Sequence, residues 1–145
     1  MTDKAKISCL ECGTTNNYPL NAGGKAVRCG RCKAPLPVPG EVLEPGAAQA
    51  ATLIQSGGLP LLIDFYSPTC MPCHRMHPIL ASLAKRRAGE LMVVKINTDE
   101  NTELAGAFRI QAVPTFVVVR RGTEIDRISG AMPETDFSLW VASRA

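Results

Sequence analysis

Six cysteines grouped into three Cys-x-x-Cys pairs constrain this 145-residue chain more than any other feature. The two-residue gap lets both sulfurs of a pair approach one metal ion, or each other. Cys9/Cys12 and Cys29/Cys32 stand sixteen residues apart, the interval of a four-cysteine zinc site. Cys70/Cys73 has no fourth pair, so the natural partition is four plus two. Four thiolates at Cys9, Cys12, Cys29 and Cys32 satisfy the tetrahedral preference of zinc and close the site against water, which makes it structural rather than catalytic. The alternatives are iron in the same cage, two disulfides, or four free thiols. Disulfides do not persist in a reducing compartment. The N-terminal octet Met1–Ser8 has no apolar core of a secretory signal, so a soluble, cytoplasmic protein is expected. No apolar run approaches the ~20 residues of a membrane-spanning helix.

Charge divides the chain in the same place as the cysteines. Residues 1–40 carry six Lys/Arg against two acids, and residues 41–145 carry ten against eleven. The connector Ala34-Pro-Leu-Pro-Val-Pro-Gly40 favours extended backbone and sets the boundary near residue 40. Forty residues with few large apolar groups need a staple, whereas the following 105 can bury a core. The basic excess of the first segment is small, and Tyr18 is its only aromatic. A nucleic-acid partner is therefore not expected, and a metal-stapled cap or protein-contact module is.

The second segment alternates strands and helices. Gly46 to Gln55 is Ala-rich and helical in character. Pro60 to Tyr66 is a nearly continuous apolar run that suits a strand buried on both faces. After Cys73, the apolar residues Met76, Ile79, Leu80, Leu83 and Ala84 follow the helical period, with Pro78 expected to kink the helix. Strands are expected at Leu91–Ile96, Thr115–Val119 and Glu124–Ser129, with helices at about 102–108 and 134–142. The order βαβαββα implies an α/β layer structure with a mixed sheet and helices on both faces.

Cys70-Met-Pro-Cys73 lies between a buried strand and an amphipathic helix. At a helix N-terminus, free backbone N–H groups and the dipole favour a thiolate at Cys70. Cys73, one turn later, can attack a mixed disulfide formed at Cys70. Pro72 costs little in the first turn. A Cys2His2 metal site with His74 and His77 would have to break the helix start. Cys70-x-x-Cys73-His74 also satisfies the c-type haem attachment pattern. That attachment needs export and a haem-sized pocket, so His74 reads as an exposed helix residue.

Ile63-Asp-Phe-Tyr-Ser-Pro-Thr-Cys-Met-Pro-Cys73, Pro78, Val93-Val-Lys-Ile-Asn97, Val113-Pro-Thr-Phe116 and Ser129-Gly-Ala131 together resemble successive landmarks of the thioredoxin family. With the cysteine pairs of residues 1–40, the chain resembles the zinc-ribbon, thioredoxin-2 type. The resemblance implies a thioredoxin-like fold at 41–145, with Cys70 as nucleophile and Cys73 as resolving thiol. It implies that Asp64 is a buried carboxylate beneath the second cysteine, with raised pKa, exchanging the Cys73 proton. Lys95 occupies the family's matching lysine position and is a candidate salt-bridge partner for Asp64. Val113-Pro114 would be a cis bond presenting backbone to an extended substrate, and Gly130 would leave room on that docking face. Thr69 and Met71 replace the family's usual Trp and Gly beside Cys70. With Pro72 they complete the expected substrate-binding surface, where Met71 adds a flexible apolar side chain.

The expected function is thiol–disulfide exchange in which Cys70 and Cys73, assisted by Asp64, reduce protein disulfides. The family implies regeneration by a thioredoxin reductase using NADPH and flavin. Two rivals follow from the same residues: a redox-sensitive, zinc-dependent binding module, and an oxidase or isomerase suggested by the altered Thr69-Cys-Met-Pro-Cys73 sequence.

Overall fold

The run Leu61–Tyr66 forms strand β4, buried along its whole length at the centre of a five-stranded sheet. The computed structural model describes residues 4–22 and 25–145. The start of the Met1–Ser8 stretch, and Gly23 and Gly24 of the 1–40 segment, lie outside the described residues. The other strands of the sheet are β3 (Val42–Leu43), β5 (Met92–Asn97), β6 (Thr115–Arg120) and β7 (Thr123–Ser129), in the spatial order β3-β5-β4-β6-β7. β5 is parallel to β3 and β4, β6 is antiparallel to β4, and β7 is antiparallel to β6. The result is the expected mixed sheet. β3 was not expected, since two residues are too few to display a period.

Strand alternation sends side chains into two separate cores. Ile63 and Phe65 of β4, Val94 and Ile96 of β5, and Val117 and Val119 of β6 pack with Ala50, Leu53 and Ile54 of helix α1 (Ala47–Gln55). The short helix α3 (Thr102–Ala107) closes the same side through Leu104. Leu62, Val93, Phe116 and Val118 face the other way. They meet Met76, Leu80 and Leu83 of helix α2 (Met71–Arg86), and Phe137 and Val141 of helix α4 (Glu134–Arg144). Burial on both faces explains why the strands read as unbroken apolar runs. α2 continues through Pro78 as a single helix, so the expected kink does not divide it. Lys85 and Arg86 complement its C-terminal dipole.

The N-terminal segment forms an antiparallel hairpin of β1 (Lys4–Ser8) and β2 (Thr15–Pro19), followed by a second cysteine loop closed by the Arg28–Pro35 bridge. Ala5, Ile7, Tyr18 and Leu36 are buried in the same core as α1. The Leu59 N–H donates to the Lys6 carbonyl at 3.1 Å. The buried side chains of the N-terminal segment therefore share one core with α1. The Pro-rich stretch pairs with Arg28 at Pro35 and ends in a turn at Pro39 and Gly40, with Gly40 at φ +92°; Leu36 is buried in it and its N–H donates to the Val27 carbonyl at 2.8 Å.

Candidate active site and metal centre

Cys70 is the N-cap of α2, and its Sγ accepts a hydrogen bond from the Cys73 N–H at 3.2 Å. The first helical turn, with Pro72 inside it, thus presents the Cys73 N–H to the first sulfur. The two cysteines are joined as a disulfide with Cα atoms 5.2 Å apart. Their environments differ: Cys73 is fully buried, whereas Cys70 is partly exposed. Cys70 Sγ lies 3.7 Å from the Val113 carbonyl oxygen, and the Val113–Pro114 peptide is cis. The Pro114 carbonyl accepts from the Gly130 N–H at 2.9 Å. Gly130 has φ +97°, and a Cβ built there would meet nothing within 4 Å. The space at Gly130 is real, but the positive φ is an independent reason for glycine. Thr69 is exposed and its hydroxyl lies 3.2 Å from that of Ser67, while Met71 is 70% exposed. Thr69, Met71 and Pro72 flank Cys70 in sequence, Val113 touches it through its carbonyl, and Pro114 and Gly130 are linked to each other by a backbone hydrogen bond; a groove of about 420 Å³ is lined by Arg75, Met76, Ile79, Ala131 and Met132.

Asp64 is wholly buried, and neither carboxylate oxygen has a hydrogen-bond partner among the described residues. Burial pushes its pKa up to about 7; nearby Lys95 opposes the rise and Glu44 adds to it. Lys95 stands opposite Asp64 in the β4–β5 register, but its ammonium pairs with Glu44 at 3.7 Å. The candidate Asp64–Lys95 salt bridge is thus absent. Glu44 also accepts from the Tyr66 hydroxyl at 2.9 Å, and the Lys95 ammonium sits 4.6 Å above the Tyr66 ring. Burial, followed by the Glu44 hydrogen bond, pushes the Tyr66 hydroxyl pKa further up. Sequence reasoning missed Glu44, because nothing in its local pattern reveals partners as far along the chain as Tyr66 and Lys95, on two different strands. His74 is exposed, as expected, with Nε2 at 2.7 Å from the Pro68 carbonyl.

The four N-terminal cysteines converge, with all four sulfurs within 4.8 Å of one another. The two knuckles are built alike. Gly13 N–H donates to the Cys9 carbonyl at 3.0 Å, and Lys33 N–H donates to the Cys29 carbonyl at 3.0 Å. Gly13 and Lys33 both adopt positive φ, at +78° and +68°. The Cys29 thiol is brought down to about 6, chiefly by the Cys32 backbone N–H. At Cys32 an Ala34 backbone hydrogen bond pulls the other way, but Cys9, burial and the remaining sulfurs push the thiol up to about 12. Four sulfurs this close cannot all ionise without a cation between them. The donor set could hold a metal ion and fits a soft, tetrahedral one. No helix among the described residues is long and apolar enough to cross a membrane.

The family model described as Thioredoxin matches residues 42–143. Thioredoxin C-3 of Corynebacterium nephridii is 33% identical over 135 residues, which cover 93% of this chain and 92% of that protein. Thioredoxin 1 of Nostoc sp. is 38% identical over 80 residues, covering 55% of this chain and 75% of the relative. Among solved structures, the N21Q mutant thioredoxin from Halobacterium salinarum NRC-1 aligns with a TM-score of 0.67 at 29% identity. That alignment covers 74% of this chain and 94% of the other.

Proposed function

This chain belongs to the thioredoxin family and is a thiol–disulfide oxidoreductase; from that premise we propose that it works as a cytoplasmic protein-disulfide reductase. The observation that carries this reading is the asymmetric cysteine pair, with Cys70 partly exposed at the start of α2 and Cys73 fully buried one turn later.

In the reduced protein, the Cys70 thiolate is stabilised by the helix terminus and attacks one sulfur of a substrate disulfide. A Cys70–substrate S–S bond forms, the substrate S–S bond breaks, and the released substrate thiolate takes up a proton. The Cys73 thiol then gives its proton to the Asp64 carboxylate, and the resulting thiolate attacks Cys70 Sγ. The internal disulfide forms and the mixed disulfide breaks. The second substrate thiolate leaves and takes up the proton held by Asp64. Two electrons have passed from the dithiol to the substrate. An extended substrate chain would pair with the Val113 backbone beside Cys70, its side chains lying along Thr69, Met71, Pro72, Pro114 and Gly130. Regeneration would require two electrons from a flavin- and NADPH-dependent thioredoxin reductase.

Residues 1–40 form the ribbon and 41–145 the thioredoxin-like domain in this reading. Cys9, Cys12, Cys29 and Cys32 would hold one structural zinc ion. When bound, zinc supplies only charge neutralisation and a cross-link to the ribbon.

The test is NADPH consumption with insulin and thioredoxin reductase, comparing wild type with Cys70→Ser and Cys73→Ser. Turnover lost in both variants supports the reading. A folded, zinc-loaded wild type that reduces no insulin, even when pre-reduced by dithiothreitol, would sink it.

A further inference from the structure

The groove of about 420 Å³ has one wall on α2, formed by Arg75, Met76 and Ile79, and another in the loop between β7 and α4, formed by Ala131 and Met132. Met76 is fully buried and forms its floor, whereas Ile79 and Met132 are half-buried and stay partly open to solvent. Both walls run back to the reactive disulfide. On one side α2 is capped by Cys70, and Arg75 follows five residues later, about 8 Å along the helix axis. On the other, Ala131 follows Gly130, whose N–H donates to the Pro114 carbonyl at 2.9 Å. The Val113 carbonyl that precedes Pro114 lies 3.7 Å from Cys70 Sγ.

Charge accounting singles out Arg75. Arg86, in the last turn of α2, pairs with Glu134 at 3.4 Å, and Arg87, its C-cap, pairs with Glu90 at 3.0 Å. Arg75 is exposed and has no ion pair among the described residues. Of the acids that follow the opposite wall, Glu134 is engaged by Arg86, and Asp136 lies in the first turn of α4, where the helix terminus favours a negative charge. His74, the neighbour of Arg75, places its Nε2 2.7 Å from the Pro68 carbonyl. A free guanidinium thus stands at the rim of an apolar groove, and a guanidinium binds a carboxylate through two parallel N–H donors.

We propose that this groove seats the extended chain beside a substrate cystine, and that Arg75 is a specificity-determining residue that selects an Asp or Glu two or three positions from the cysteine attacked by Cys70. The inference deepens the reductase reading and rests on it. The interval follows from dimensions: an extended chain advances about 3.3 Å per residue, so two or three residues cover the distance from Cys70 to Arg75. An apolar side chain on that segment fills the space over Met76, between Ile79 and Met132. The acid makes and breaks no bond. Cys70 forms the mixed disulfide and Cys73 resolves it, while Arg75 holds the complex in which they react. An ion pair this exposed confers a preference rather than a requirement. The competing account is that the net charge of +3 draws any acidic peptide to the chain.

The experiment uses the full chain, reduced by dithiothreitol and then freed of it, in single turnover with synthetic peptides that each hold one internal disulfide. The residue three positions outside each cysteine is Glu, Gln or Lys. The Glu peptide should be reduced about threefold faster than the Lys peptide at low salt, with Gln between them, and the ratio should fall toward one at high salt. Arg75→Met should bring the ratio close to one, and Arg75→Glu should invert it. Arg120, at the end of β6 remote from Pro114, supplies the control, and Arg120→Met should keep the wild-type ratio. Equal rates for Glu and Lys in the wild type, a ratio that Arg75→Glu leaves unmoved, or a ratio lost as fully in Arg120→Met as in Arg75→Met would each overturn the role of Arg75. A folded wild type that reduces none of the peptides and no insulin overturns the reductase reading instead, so the two failures stay distinct.

Discussion

Lys95 stands directly across from Asp64 on the neighbouring parallel strand, yet its ammonium pairs with Glu44 and leaves the buried acid without a partner among the described residues. Two opposite charges in register would ordinarily pair and hold the carboxyl ionised. Here Glu44 and the face of Tyr66 engage the lysine instead. Burial then dominates, and Asp64 titrates at about 7.

Stability should therefore decline as pH rises. The folded pKa of Asp64 is about 7 against an ordinary 3.8, so folding favours the protonated acid. The penalty for ionising it is absent below about pH 4, grows through the interval, and is complete above about pH 7. A shift of this size corresponds to about 4 kcal/mol at most. Urea unfolding from pH 4 to 8 should show the wild-type midpoint falling through this window, and Asp64→Asn should flatten that trend. Parallel slopes in both proteins would assign the pH dependence to other groups.

Metal removal should act on the ribbon and on α1 together. Protein purified under reducing conditions should contain one zinc per chain, released when the four thiols are alkylated. Hydrogen exchange at the amides of β1, β2 and α1 should then speed up, while those of β4 and β6 stay protected. A folded ribbon without stoichiometric metal would remove zinc from the structural account.

The junction between ribbon and domain is open to a single truncation. Ile7 is fully buried, in one cluster with Ala50, Leu53 and Ile54. Ile7→Ala should cost roughly 2–4 kcal/mol, within the range for large-to-small core substitutions. The loss should appear in the unfolding transition of the whole chain. If it lowers metal affinity but leaves that transition unmoved, the two segments unfold independently.

Met71 should govern substrate contact rather than folding. Its side chain is 70% exposed next to Cys70, so Met71→Gln should change stability by no more than about 0.5 kcal/mol. It should raise KM for an apolar peptide disulfide several-fold and leave kcat nearly unchanged. An equal fall in kcat and kcat/KM would place the effect in the transition state instead.

Much of this fold and site was legible in the sequence because its signals are local or rigidly spaced. Leu61–Tyr66 announced a doubly buried strand by its apolar run, and the period from Met76 to Ala84 announced α2. The four-plus-two cysteine division followed from spacing alone. β3 escaped notice, being held by the edge of β5 and not by any pattern of its own. His77 was weighed only as a metal ligand, since nothing in the helical period reveals that its ring meets Tyr66 edge-on.

The sequence by itself determined the order of strands and helices from α1 onward, the placement of Cys70 and Cys73 at a helix start, and the grouping of the other four cysteines. All of these depend on backbone period and short-range spacing. Only the tertiary structure decided that the ribbon shares a core with α1, that Lys95 turns from Asp64 to Glu44, and that His77 meets Tyr66. Those outcomes depend on which side chains compete for one partner across the packed layers. That competition exists only after strands and helices distant in sequence have been brought to within a few ångströms of one another.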